Sequence, residues 1–284
     1  MILIADGGST SCDWVCLNTE SHDVVEKITT NGINPTYSDT DKIKSELENS
    51  KLLSKYKNQI SGIYFFGAGC KSEVFAKKLE DVLRSFFPNL SKCNIKGDIE
   101  GAVYACTNQP SVVGILGTGS NICFYDGTTI HSKLESLGYS IMDDGGGSAL
   151  GRMLIRSYFY NELPTELGLK LSQDYNLDPD YLKSNIYQKP FPGRFLASYA
   201  KFVFENLNDP FIESLLNKNL ENYFQTHVLQ YKDELQNVPI HFVGTVAFKS
   251  HKYLQAICDK HKITLGHVIR TPIDTLAQNV NYYI

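Results

Sequence analysis

Two short turns rich in glycine and hydroxyl residues, each set between apolar β-prone runs, constrain this chain more than any other feature of its sequence. Ile2-Leu3-Ile4-Ala5 leads into Asp6-Gly7-Gly8-Ser9-Thr10, and Trp14-Val15-Cys16-Leu17 resumes the apolar pattern. The design recurs where Ser111–Leu116 meets Gly117-Thr118-Gly119-Ser120 and continues into Asn121–Tyr125. Apolar runs this short, bounded by glycine, read as strands joined by tight turns. Each half continues the meander: Val24–Thr29 reads as a third strand, and Asp126-Gly127 is a hairpin turn ahead of an expected strand over Thr129–Leu134.

Between these hairpins the pattern alternates. Asn31-Gly32-Ile33-Asn34-Pro35 is a loop by composition and leads to a polar helix over Asp41–Leu53. Ile60–Phe66 is a strand ending at Gly67-Ala68-Gly69, and Val74, Leu79, Val82, Leu83 and Phe86 follow at helical spacing. Asn94-Ile95-Lys96 is a brief strand that delivers Asp98 into a helix reaching about Thr107. In the second half, helices are expected near 148–161, 194–206 and 210–235, then a strand at Ile240–Val243, a helix near 248–261, a strand at Ile263–Ile269 and a last helix from about 273. The fold class is α/β, with one domain over 1–108, joined by 272–284, and a second over 109–271.

Composition bounds the function classes. The 284 residues carry 27 Lys plus Arg against 31 Asp plus Glu, a formal charge of −4. With no basic excess or Lys/Arg run to displace counterions, neither nucleic acid nor an anionic membrane is an expected partner. Apolar stretches such as Val112–Leu116 are far shorter than the roughly 18 residues a membrane span requires. The opening residues lack the basic and apolar segments of a secretory signal, so a cytoplasmic location is expected. Seven cysteines without CxxC spacing suit reduced, mostly buried thiols, and seven scattered histidines give no zinc ligand set.

No GxxxxGK[ST] loop and no complete GxGxxG opening a βα unit is present, which argues against the P-loop and dinucleotide-binding classes. The two turns offer another way to hold phosphate. Glycine lets backbone N–H groups approach an anion, and Ser or Thr adds a hydroxyl donor. Asp6, at the end of a buried strand, needs either a partner such as hydrated Mg²⁺ or a role in an Asx turn. Asp98 is either a helix cap or a general base. Asp143 beside Asp144 invites repulsion unless donors or a ligand neutralise one of them.

Asp6-Gly7-Gly8-Ser9-Thr10, Asp98, Gly117-Thr118-Gly119-Ser120-Asn121, Asp143-Asp144-Gly145 and Gly244-Thr245-Val246-Ala247 occur in an order and spacing that resembles the BadF/BadG/BcrA/BcrD ATPase family, nearest its N-acetylglucosamine kinase branch. That family belongs to the actin, sugar kinase and Hsp70 superfamily. The resemblance implies two ribonuclease H-like domains with an interdomain cleft, ATP and Mg²⁺ as cofactors, and phosphorylation of an amino sugar, N-acetylglucosamine above all. It implies that Asp6 orients Mg²⁺ through water and that Gly7, Gly8, Ser9 and Thr10, with Gly117, Thr118, Gly119 and Ser120, hold the phosphates. Asp98 would then be the general base; Asn34, Thr118, Asn121 and Asp143 would contact the sugar; and Gly244, Thr245 and Val246 would lie at the nucleotide.

The chain departs from the pattern at Leu137-Gly138, where the animal enzyme has Trp-Gly, at Met142-Asp143-Asp144-Gly145-Gly146 in place of GDEGS, and at Pro272–Leu276 near the adenine. Two alternatives stay open: an ATPase of the dehydratase-activator type, which needs cysteine ligands for an iron–sulfur cluster, and a sugar or nucleotide sensor without turnover. A homodimer is also open, since Tyr158–Tyr160 and Phe195–Phe204 supply rings for a surface, although a core role is the expected one.

Overall fold

The computed structural model describes residues 1–8 and 10–284; Ser9 lies outside the described residues. In the first unit, Met1–Asn108 with Thr271–Ile284, β1 (Ile2–Gly7) pairs antiparallel with β2 (Ser11–Leu17), which pairs with β3 (Val24–Asn31). The strand runs on through Gly7, so Asp6 sits inside β1 and not in the turn. Helices α1 (Thr40–Asn49) and α2 (Lys51–Tyr56) follow, then β4 (Gly62–Gly67), α3 (Glu73–Phe86), β5 (Lys92–Gly97) and α4 (Asp98–Cys106). The sheet order is β3-β2-β1-β4-β5, with β4 and β5 parallel to β1.

The single helix expected over Asp41–Leu53 is two. Ser50 ends α1 with its N–H on the Leu47 carbonyl, and its hydroxyl then accepts from the Leu53 N–H at 3.3 Å to begin α2. Strand alternation sorts the side chains. Leu3, Ala5, Cys12, Trp14, Ile63 and Phe65 face one core with Ile43, Leu47, Leu79 and Leu83 of the helices. Trp14 and Phe65 meet edge to face with centroids 5.7 Å apart, a geometry worth about 0.5–1.5 kcal/mol beyond burial. Tyr64 and Phe66, on the other face, pack their rings with Tyr104 of α4 and Tyr283.

The second unit, Gln109–Arg270, contains β6 (Ser111–Leu116), β7 (Ser120–Tyr125), β8 (Ile130–His131), α5 (Gly147–Phe159), α6 (Thr165–Asp174), α7 (Pro179–Tyr187), α8 (Pro192–Ser198), α9 (Ala200–Glu205), α10 (Pro210–Thr226), β9 (Ile240–Val243), α11 (Thr245–Lys249), α12 (His251–His261) and β10 (Leu265–Ile269). Its sheet order, β10-β9-β6-β7-β8, repeats the first: an antiparallel meander followed by two parallel strands. A last helix, α13 (Ile273–Gln278), falls in the first unit.

Several expectations are corrected here. β8 covers two residues instead of Thr129–Leu134, because the Lys133 N–H leaves the ladder for the Tyr231 hydroxyl at 2.8 Å. Helices α6 and α7 had no counterpart in the sequence reading. The helix expected over 210–235 ends at Thr226 and continues as two 3₁₀ turns. The expected helices over 194–206 and 248–261 break at Tyr199 and Ser250. Tyr199 and Phe202 are buried in the core, whereas Tyr160 is 63% exposed.

Candidate functional site

In the first unit the register puts three glycines in one row: Gly7 of β1 beside Gly67 of β4, and Gly67 beside Gly97 of β5. The parallel strands therefore finish at one level, the place where α/β sheets hold their ligands. Asp98 follows Gly97 at once as the first residue of α4, and Gly97 takes the cap position. A carboxylate in that first turn is favoured by the helix dipole.

Asp6 lies one residue before the row, opposite Asp13 on β2. It is half-buried, with part of its surface open to solvent while protein atoms crowd the carboxyl group. That enclosure, reinforced by the like charges of Asp13 and Asp98, pushes its pKa up to about 7. The glycines of the row have a packing reason of their own. A Cβ on Gly7 or Gly67 would come within 2.4 or 2.5 Å of the Phe65 ring. Gly8 closes the hairpin with its N–H on the Ser11 carbonyl at 2.9 Å, and exposed Thr10 accepts the Gly32 N–H at 3.1 Å.

Asn34 is buried, and its Oδ1 accepts the Thr36 N–H at 3.0 Å. Its loop is held by Lys78 of α3, whose Nζ donates to the Pro35 and Ser38 carbonyls at 3.1 and 2.6 Å. Gly69, at φ +82°, lies against this loop, where a Cβ would be 2.6 Å from Asn34 Oδ1. The Ala68 N–H joins the Gly7 carbonyl at 2.9 Å. The first unit thus gathers Asp6, Gly7, Asn34, Gly67–Gly69 and Asp98. It also places there Glu100, whose buried Oε2 has no hydrogen-bond partner among the described residues; the sequence reading did not single out Glu100 or Lys78.

In the second unit the Gly117–Gly119 turn is stapled to the start of α5. The Gly147 N–H donates to Gly117 O at 2.9 Å and the Ser148 N–H to Thr118 O at 2.8 Å. Asp143, buried and left-handed at φ +66°, accepts the Ser120 N–H on Oδ1 at 3.1 Å. Burial raises its pKa against that bond and the charge of Arg152, with Asp144 adding to the rise. Gly119 must be glycine here, because a Cβ would stand 2.5 Å from Asp143 Oδ2. Asn121 spends its Oδ1 on the Ile122 N–H at 2.9 Å.

Gly244, at φ +122°, abuts the same turn: a Cβ would fall 2.3 Å from Leu116 O. Thr245 is exposed, while Val246 is buried in the core, so a ligand could meet Val246 only at its backbone. The second unit brings together Gly117–Asn121, Asp143 and Gly244. Two hydroxyls beside the turn, Ser120 and Ser148, are buried without partners among the described residues, and Ser148 is one the sequence reading missed. Among the described residues no three His, Cys, Asp or Glu side chains are arranged to cage a metal ion, and no helix is long and apolar enough to cross a membrane.

No protein-family model matches the chain and no curated protein matches its sequence. Solved structures do match. A Chromobacterium violaceum protein described as a "putative N-acetylglucosamine kinase" shares 15% identity over 98% of each chain at a TM-score of 0.76. A ROK family glucokinase from Streptomyces griseus, solved with glucose and AMPPNP, shares 13% identity over 99% of this chain and 97% of its own at 0.62. At those identities the likeness is one of fold, and the fold, with a five-stranded mixed sheet in each unit, is the actin-like one. A Porphyromonas gingivalis protein, also described as a "putative N-acetylglucosamine kinase", shares 34% identity over 100% of this chain and 99% of its own, with a TM-score of 0.92. The chain belongs to the family of that protein and is a sugar kinase.

Proposed function

We propose that this protein transfers the γ-phosphoryl group of ATP to a hydroxyl of an amino sugar, N-acetylglucosamine in particular, with Asp98 as general base. The observation that carries the reading is the placement of Asp98 directly after the glycine row, close enough to Asp6 for its charge to raise the Asp6 pKa. Asp98 receives the proton of the attacking hydroxyl, a role worth about 10²–10⁴ in rate. Asn34, Asn121 and Asp143 orient sugar hydroxyls, and a sugar that leaves them unpaired is rejected.

The chain has no P-loop lysine, so stabilisation of the transferring group falls to the turns Gly7–Thr10 and Gly117–Ser120, through those of their donors that no protein acceptor already holds. Gly244, Thr245 and the Val246 backbone lie at the nucleotide. The site also suits Mg²⁺: enclosure and two like charges make Asp6 costly to ionise, a hydrated cation relieves that cost, and one carboxylate is enough for an ion that keeps its waters. When bound, Mg²⁺ neutralises phosphate charge. We also place the chain in the BadF/BadG/BcrA/BcrD group and its site of action in the cytoplasm.

A cluster-bearing ATPase is disfavoured because Cys123 and Cys258 are both buried at 0% exposure, out of reach of a cluster held at the surface. ADP release measured across a panel of glucosamine, N-acetylglucosamine, N-acetylmannosamine and glucose tests the proposal. Sugar-dependent release led by N-acetylglucosamine supports it; equal release without sugar overturns it.

A further inference from the structure

Helix α10 carries two buried polar side chains one turn apart, Asn219 at 1% exposure and Tyr223 at 0%, which places them on one helix face. Asn219 accepts the Gly145 N–H on Oδ1 at 3.2 Å and donates from Nδ2 to the Gly146 carbonyl at 3.4 Å. Gly145 and Gly146 lead into α5, whose first N–H groups hold the Gly117 and Thr118 carbonyls. At the other end of that turn, the Tyr223 hydroxyl donates to the Asn121 carbonyl at 2.9 Å.

The surroundings are shaped to admit these two side chains. A Cβ on Gly145 would fall 2.7 Å from Tyr223 Cβ, and one on Gly114, within β6, would fall 2.7 Å from the Tyr223 hydroxyl. Burying an amide and a phenol costs free energy that Leu and Phe at the same places would not incur. Packing alone therefore does not explain the choice. What the polar groups add is a fixed backbone at both ends of one turn.

We propose that Asn219 and Tyr223 are positioning residues for phosphoryl transfer, holding Gly117–Asn121 so that its donors are in place before ATP arrives. The idea rests on reading that turn as a phosphate clamp. Preorganised donors stabilise charge without reorganising during the reaction, and a displacement of about 1 Å can cost roughly 10²-fold in rate. Burial keeps the Tyr223 phenol well above its ordinary pKa, so it stays a donor throughout the working range.

The test compares Tyr223→Phe, Asn219→Leu and Gly119→Ala with the parent in kcat, KM for ATP, sugar affinity without nucleotide, and Tm. All are assayed well below the lowest Tm. In Tyr223→Phe and Asn219→Leu, kcat/KM for ATP is expected to fall about tenfold or more, and sugar affinity, which also draws on Asn121 of the same turn, is expected to fall by less. Should Asn219→Leu not fold, Tyr223→Phe decides alone. A lower Tm with unchanged kinetics in Tyr223→Phe, alongside impaired ATP use in Gly119→Ala, would overturn the positioning role and leave the clamp standing. Unchanged ATP use in Gly119→Ala as well would overturn the clamp, and this inference with it.

Discussion

The charge on Asp98, the first residue of α4, reaches Asp6 near the end of β1 and helps hold its carboxyl group at a pKa of about 7. Enclosure is the larger cause, and Asp13 contributes as well.

A folded-state pKa of about 7, above the ordinary 3.8, has a definite sign. The protonated form is favoured by folding, so this contribution is complete below pH ~4 and is lost as pH rises through about 7. Asp6→Asn should bring the ligand-free protein closest to the parent's stability near pH 4.5 and leave it further above the parent at pH 8. Urea midpoints at the two pH values check this; an equal difference at both would contradict it. The same variant should lose most activity, and binding of Mg²⁺ with nucleotide at pH 7 should release protons, measurable by calorimetry in buffers of different ionisation enthalpy.

Lys78 holds the Pro35 and Ser38 carbonyls, which frame the loop of Asn34, the residue proposed to contact the sugar. Hydrogen bonds from a charged donor are worth about 1.5–3 kcal/mol each. Lys78→Met is expected to raise KM for the sugar about tenfold with KM for ATP within twofold. Parallel changes in both constants would show that the loop does not serve the sugar.

Asp143 combines a left-handed backbone with a side-chain bond to the Ser120 N–H. Asn tolerates that conformation and keeps the acceptor; Ala does neither. Asp143→Asn should retain stability within about 0.5 kcal/mol, whereas Asp143→Ala should lose about 1–3 kcal/mol. Chemical denaturation separates the two. If the carboxylate contacts a sugar hydroxyl, both variants raise KM for the sugar; an unchanged KM in Asp143→Asn would restrict Asp143 to holding the turn.

The strands and turns were legible because short apolar runs closed by glycine leave few alternatives, and β1, β2, β6 and β7 all have that form. Helices α6 and α7 were not, since they bury only Leu167, Leu171 and Leu182, too few residues to display a period. The breaks at Ser50 and Ser250 were hidden because periodicity runs through them; what ends each helix is the particular partner an N–H finds. Site residues next to glycine could be named from the chain. Lys78, Asn219 and Tyr223 could not, because each acts on backbone 40 to 102 residues away and leaves no local sign.

Sugar-dependent ADP release by Asp98→Asn, with binding measured separately, tests the central claim most directly. The amide cannot accept the hydroxyl proton, so turnover should fall by about 10²–10⁴ while affinities for sugar and nucleotide stay within about twofold. Turnover close to the parent's, with binding intact, would show that Asp98 is not the base.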